Sequence, residues 1–193
     1  ALKLCNLSEN NIYEAIKKIK DVNGRLEMVK KYPNGIKVFV DYAHTPDALF
    51  KTLSALKFHY GNNISLVFGC GGERDKKKRS KMARIAKSIC KKIYVTDDNP
   101  RNEDPKKIRK ELLKYIKKTK VENIGNRSLA IKKAIENSDP QEIILIAGKG
   151  HEEQQIYKDK LKKISDKKII KNISLVKKTL SKQEINFYQN NVI

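Results

Sequence analysis

The sequence predicts a doubly wound α/β domain, a mostly parallel sheet with a hairpin at its start, on three observations. Short β-rich runs alternate with amphipathic helical patterns. Each connection is long enough to carry the chain back to the same sheet edge, and four of the runs end directly in a polar or glycine-rich cluster. Connections of that length impose parallel pairing through right-handed crossovers.

Ser8 to Lys20 sets Ile12, Ala15, Ile16 and Ile19 at helical spacing behind a serine suited to cap a helix. The pattern stops at Asp21-Val22-Asn23-Gly24-Arg25, which places a boundary near Gly24 and Arg25. Leu26 to Lys31 and Ile36 to Val40 flank Pro33-Asn34-Gly35, a turn signal for a hairpin feeding the first core strand. The next strands are Ile64 to Phe68, Ile93 to Thr96, Val121 to Ile124 and Ile143 to Ala147. Helical patterns lie between them: Ala48, Leu49, Leu53 and Leu56; Met82, Ile85, Ala86 and Ile89; Ile108, Leu112 and Ile116; Ala130, Ile131, Ala134 and Ile135. A short hairpin is expected around Tyr157-Lys158-Asp159-Lys160, and Ser165-Asp166 reads as the cap of a last helix through Leu180. Residues 181 to 193 form a polar tail.

A chain of 193 residues, 39% hydrophobic and 34% charged, supports one core and at most a small appendage. Its longest apolar runs, such as Ile143 to Ala147, fall far short of the roughly 20 residues that span a bilayer. No membrane partner is expected. The opening Ala-Leu-Lys-Leu-Cys-Asn has neither Met nor a basic-then-apolar leader, which reads as a cytoplasmic chain cut from a longer protein. Cys5, Cys70 and Cys90 are scattered singly, as reduced thiols are, with neither a disulfide framework nor a paired-cysteine zinc spacing.

The balance of 43 basic against 22 acidic residues gives a net charge of +21, so a nucleic-acid partner must be weighed. Of the basic residues 36 are Lys and only 7 Arg, whereas base and phosphate readers favour the forked guanidinium. The pairs Lys17-Lys18, Lys106-Lys107, Lys117-Lys118 and Lys132-Lys133 recur between apolar helix positions, as solvated faces do. The charge therefore reads as compositional bias with a field that favours anionic ligands, and no nucleic-acid partner is expected.

The four clusters are Asp41 to Asp47, Gly69 to Asp75, Asp97 to Arg101 and Gly148 to Glu152. The carboxyl ends of parallel strands gather along one edge, where ligands bind. Each cluster alone is also what an ordinary strand-to-helix turn needs; four on one edge make a site. The glycines lack the Gly-x-Gly-x-x-Gly spacing of a dinucleotide fingerprint, and no Gly-x-x-x-x-Gly-Lys-Ser/Thr loop occurs anywhere. Within the clusters, Arg101 is a rigid fork for a carboxylate, with a surface ion pair to Glu103 or Asp104 as its plainer alternative. Asn99 supplies an amide donor and acceptor, and Glu152 can receive an ammonium. Together they describe a receptor for an amino acid. His44, His151 and Cys70 have no zinc spacing, and His59 reads as a helix-end residue.

The order Gly24-Arg25-x-Glu27, Asp41-Tyr42-Ala43-His44-Thr45-Pro46-Asp47, Gly69-Cys70-Gly71-Gly72-x-Arg74-Asp75, Asp98-Asn99-Pro100-Arg101 and Gly148-Lys149-Gly150-His151-Glu152 resembles the C-terminal domain of the Mur ligases. Within that family it is similar to the MurE type, which joins meso-diaminopimelate to UDP-N-acetylmuramoyl-L-alanyl-D-glutamate in peptidoglycan synthesis. The resemblance implies the fold given above, with residues 1–23 as the tail of a central ATPase domain, 24–180 as the amino-acid-binding domain and 181–193 matching nothing.

It further implies that ATP phosphorylates the D-glutamate side-chain carboxylate and that the amine of diaminopimelate attacks the acyl phosphate. The implied diaminopimelate positions are Arg74, Asp98, Asn99, Pro100, Arg101, Gly148 and Glu152. Arg101 and Asn99 would read the distal carboxylate and Glu152 the distal ammonium. Arg25, Asp41 and His44 match positions near ATP. The phosphate loop and the Mg2+ ligands belong to the family's central domain, so this chain alone is expected to turn over no ATP. Glu73 stands where the family pattern has Asp, a conservative departure. The alternatives are a lysine-adding or folylpolyglutamate-type amide ligase domain, and further off a basic nucleic-acid-binding module. Lysine has no distal carboxylate to pair with Arg101, which favours diaminopimelate.

Overall fold

The computed structural model describes residues 8–18 and 22–175. A first helix, α1 (Glu9–Lys17), begins where Ser8 accepts the Asn11 N–H at 3.3 Å, the expected serine cap. From Gly24 the order is β1 (Glu27–Lys31), β2 (Lys37–Asp41), α2 (Pro46–Tyr60), β3 (Ile64–Phe68), α3 (Lys77–Ile89), β4 (Lys92–Val95), α4 (Pro105–Leu113), β5 (Val121–Asn123), α5 (Arg127–Glu136) and β6 (Ile143–Ala147). The hairpin β7 (Gln154–Tyr157) and β8 (Lys160–Lys163) and the helix α6 (Asp166–Asn172) complete it. Among the described residues no helix is long and apolar enough to cross a membrane.

The sheet runs β1-β2-β6-β3-β4-β5, with β1 antiparallel and every other neighbour parallel. The expected hairpin turns where the Gly35 N–H meets Tyr32 O at 3.0 Å, and Gly35 takes the positive φ of +84° that this turn needs. Strands β3 and β6 are buried along their whole length because helices cover both faces. Alternation assigns the faces. Leu66, Phe68 and Leu145 pack with Leu49, Leu53 and Leu56 of α2, Met82 and Ala86 of α3, and Ile108 and Leu112 of α4. Val67, Ile144 and Ile146 pack with Ala130, Ile131, Ala134 and Ile135 of α5 and Ile170 of α6. Each large aliphatic side chain so buried contributes about 1.5–3 kcal/mol. Helix placement on both faces is what brings four strand ends to one common edge.

The last helix corrects the sequence reading in two ways. It ends at Asn172 instead of Leu180, and Ser165 makes no side-chain cap bond. The physical reason lies in β1 and its turn: Lys30 Nζ donates to the Lys171 carbonyl at 2.9 Å and the Ile173 carbonyl at 2.6 Å, and the Tyr32 hydroxyl donates to Ile173 O at 3.0 Å. Those donors satisfy the terminal carbonyls and stop the helix. Residues 176–193, including the rest of that predicted helix and the polar tail, lie outside the described residues, as do residues 1–7 and 19–21.

Candidate functional site

The four clusters leave the carboxyl ends of β2, β3, β4 and β6 and surround a half-open cavity of about 600 Å³. Its wall includes Arg74, Asp98, Asn99, Arg101, Gly148 and Glu152, together with Tyr42, His44, Cys70 and Lys78. Six of the seven residues matched to diaminopimelate thus meet in one place. Pro100 does not line it; its carbonyl accepts the Glu103 N–H at 3.1 Å and so shapes the turn that presents Arg101.

Arg101 sits at φ +54°, a left-handed conformation that a long side chain adopts at a cost of about 1–3 kcal/mol. The β7–β8 hairpin holds it there, since its N–H donates to Ile156 O at 3.0 Å and its carbonyl accepts the Lys158 N–H at 2.8 Å. Its Nη1 donates to the carbonyls of Gly72 at 3.0 Å and Asn99 at 3.2 Å. The ion pair with Glu103 weighed as the plainer alternative is not what the structure contains: Glu103 accepts both Nη atoms of Arg79, at 2.8 and 2.7 Å.

The adjoining corner is drier. Asp98 and Asn99 are 7% and 8% exposed, and Lys149 is 0% exposed. Lys149 Nζ donates to Asn99 Oδ1 and to Glu152 Oε2, both at 3.0 Å, and stands 3.8 Å from Asp98 Oδ1. Asn99 Nδ2 faces Glu152 Oε2 at 3.3 Å. Burial alone would raise the Glu152 carboxyl, but the Lys149 ammonium and the Asn99 amide outweigh it and hold that group below its ordinary range. Gly148 has φ +112°, and a Cβ there would stand 2.6 Å from Asp98 Oδ2, so only glycine lets β6 close against Asp98. The cavity therefore has a net cationic rim, where Arg74, Lys78 and Arg101 outnumber the exposed Asp75, and an acidic floor of Asp98 and Glu152. Cys70 in its wall is no nucleophile, because burial pushes its thiol up to about 12.

The three positions matched to ATP divide differently. His44 lines the same cavity as the diaminopimelate set, its Nδ1 3.0 Å from Tyr42 O. Arg25 is exposed beside it, its guanidinium 4.3 Å from the centre of the Tyr42 ring, which also stacks on His151 at 5.7 Å. Asp41 is 7% exposed, and its oxygens accept the Leu26 and Ala43 N–H groups, each at 2.6 Å. It braces the turn that carries Arg25 and Tyr42.

Sequence reasoning passed over Lys149, Lys78 and the buried Arg79. Lys149 is one lysine among 36, and only its place between two glycines at a strand end sets it apart. Arg79 is 1% exposed and donates to the Gly71 carbonyl at 3.2 Å, which ties α3 to the cavity wall.

The family model described as Mur ligase, glutamate ligase domain, matches residues 24–150. A 2,6-diaminopimelate ligase of Rickettsia prowazekii (strain Madrid E), named as acting with UDP-N-acetylmuramoyl-L-alanyl-D-glutamate, is 44% identical over 164 residues, 84% of this chain and 33% of that one. The ligase of the same name from Buchnera aphidicola is 46% identical over 167 residues, 86% of this chain and 33% of that one. A solved structure of a protein so named aligns with TM-score 0.72 at 33% identity, covering 88% of this chain and 35% of that one. A folylpolyglutamate synthase from Thermotoga maritima aligns with TM-score 0.53 at 29% identity over 74% of this chain and 31% of that one. The chain spans about a third of the length of the curated relatives it matches.

Proposed function

We propose, on the premise that this chain belongs to the Mur ligase, glutamate ligase domain family, that it receives meso-diaminopimelate for a MurE-type ligase and presents one amine for amide-bond formation. The observation that carries the reading is the division of one cavity into a cationic rim and an acidic floor. An amino acid with a second ammonium and a second carboxylate needs both. Arg101 and the Asn99 amide would take the distal carboxylate, Glu152 and Asp98 the distal ammonium, and Arg74 the other carboxylate end. The proximal amine is then left unpaired, free to attack once it has given up its proton to solvent.

In such a reaction the chain supplies position, not a nucleophile. ATP would activate the D-glutamate side chain of UDP-N-acetylmuramoyl-L-alanyl-D-glutamate as an acyl phosphate, and the amine would displace phosphate. Holding the amine at attack distance and keeping water out are the contributions open to a domain of this kind. Arg25, exposed on the Tyr42 ring, is suited to phosphate oxygens, with Asp41 bracing it and His44 between the two ligands. Mg2+ is assigned to the ATP and to the family's central domain, and the sugar-nucleotide contacts to the family's N-terminal domain.

Calorimetric titration of the 193-residue chain with meso-diaminopimelate, L-lysine and D-glutamate tests the reading. Saturable binding of meso-diaminopimelate, at least about tenfold tighter than lysine, is expected, because lysine leaves the donors of Arg101 and Asn99 unpaired. Equal affinity for lysine, or no binding of any of the three, would overturn it.

A further inference from the structure

Lys149 lies behind the cavity wall, not in it, and is fully buried. Its ammonium is a donor only, and so is the backbone N–H of Ile156, which reaches the same Asn99 Oδ1 at 3.1 Å. Two donors on one atom leave no freedom in the amide: the atom they meet must be oxygen, and the NH2 must turn toward Glu152 and the cavity. Asn99 is thereby converted from a group that could donate or accept into a donor.

The same ammonium meets Glu152 at 3.0 Å and lies 3.8 Å from Asp98. It cancels one of the two negative charges on the floor. Without it the cavity would face any carboxylate with two uncompensated acids and an amide free to present its oxygen.

We propose that Lys149 is the positioning residue that selects a distal carboxylate, acting through the fixed amide of Asn99 and the charge balance of Glu152 and Asp98, with no ligand contact of its own. The inference rests on the amino-acid-receiving reading above and deepens it. Lysine and meso-diaminopimelate share the ammonium arm and differ at the distal carboxylate, so the ratio of their affinities isolates this role. A side chain needed only for folding would weaken both ligands alike.

Titration of the wild-type chain and of Lys149→Met with both amino acids tests it. Methionine keeps the length and removes the charge and the donors. The expected result is a loss of about 30-fold or more for meso-diaminopimelate with a change under about 3-fold for lysine, so that discrimination collapses. A Lys149→Met chain that keeps the wild-type ratio would overturn the inference while leaving the receiving function standing. Failure of the wild-type chain to prefer meso-diaminopimelate would overturn both.

A measurement on the wild-type chain covers the case in which the variant does not fold. The Lys149 ammonium hydrogens, held by two acceptors in a dry site, should exchange slowly enough to be seen by nitrogen-15 NMR, and their signal should move when meso-diaminopimelate is added. Rapid exchange, or a signal indifferent to the ligand, would count against the role.

Discussion

Two arginines, one on each face of the sheet, do the same job by different means. Arg79 of α3 and Arg127 of α5 are 1% and 0% exposed, and each grips a carboxylate with two nitrogens. Each also donates to the backbone where a site loop leaves its strand: Arg79 to Gly71 O at 3.2 Å, Arg127 to Ala147 O at 3.0 Å. The difference is water. Asp166, the partner of Arg127, is 0% exposed in its side chain, whereas Glu103 and Glu111, the partners of Arg79, are 15% and 39% exposed. A dry pair is committed to its partner, because the carboxylate has nowhere else to turn. A wet cluster has alternatives, and Lys76 already stands 3.7 Å from Glu103. The glycine-rich β3 loop is thus held by a clamp that can yield, and the β6 loop carrying Lys149 and Glu152 by one that cannot.

The sharpest way to break that comparison is to cut the dry clamp. Arg127→Met leaves the Asp166 carboxylate buried with no counter-charge, and such a loss costs about 3–5 kcal/mol of folding stability. Replacing both partners, as Arg127→Met with Asp166→Leu, should recover most of it, since the isolated charge is then gone. Urea unfolding of the three chains measures this. A single substitution costing under about 1 kcal/mol would mean that water reaches Asp166, and the contrast would collapse.

Arg101 supplies the opposite case, a guanidinium that lines the cavity, holds no carboxylate of the chain and is proposed above to take the ligand's. Arg101→Ala should weaken meso-diaminopimelate by about 2–5 kcal/mol, roughly 30-fold to several-thousand-fold, with unfolding stability changed by under about 1 kcal/mol. Arg101→Lys should rescue only in part, because an ammonium cannot reproduce the planar fork. Calorimetry and urea unfolding on the same preparations separate the two effects. A stability loss without an affinity loss would make Arg101 a third clamp.

How much of this was legible in the sequence divides along the same line. Strands β3 and β6 were readable to the residue, because strands covered on both faces read as near-continuous apolar runs, broken only by Ser65 in β3. The clusters at the strand ends were readable because glycine, proline and acidic residues stand out against such runs. What holds the clusters was not. Arg79 and Arg127 sit in helices whose patterns show apolar faces, and a basic residue on a helix reads as solvent-facing until its carboxylate partner, 24 or 39 positions away, is known. Asp166 invited the wrong inference for that reason: beside Ser165 it looked like part of a helix cap, and it is half of the dry clamp. The resemblance supplied roles for His44, Arg25 and Asp41 but not their grouping, which follows from packing around Tyr42.

The wet clamp should fail more gently. Arg79→Met removes hydrogen bonds to Glu103, Glu111 and Gly71 O, but the two acids can turn to water. The expected loss is about 1–3 kcal/mol, below that of Arg127→Met, with weaker meso-diaminopimelate binding because the β3 loop loses its anchor. A loss matching that of Arg127→Met in urea unfolding would show that the exposure of Glu103 and Glu111 counts for nothing.

The smallest effect sharpens the comparison through pH. Arg79, by hydrogen bond and charge against an opposing burial effect, draws the Glu103 carboxyl down to about 2, with the Glu73 N–H and Lys76 as lesser contributors. A carboxyl whose folded value lies below its unfolded one, near 4.3, contributes stability that is complete above the unfolded value and is lost as pH falls toward the folded one. The stability advantage of the wild-type chain over Arg79→Met should therefore be constant above about pH 5 and shrink between about pH 4 and 2. It shrinks to less than the whole difference, since the bond to the Gly71 carbonyl does not titrate. In Arg79→Met the Glu103 carboxyl moves back up but stays somewhat low, because Lys76 and the Glu73 N–H remain. Urea unfolding of both chains at half-unit steps from pH 6 to 2.5 gives the difference directly. A difference that does not vary across that range would assign the stabilisation by Arg79 to packing and the Gly71 bond, leaving the Glu103 pair with no net share in holding the β3 loop.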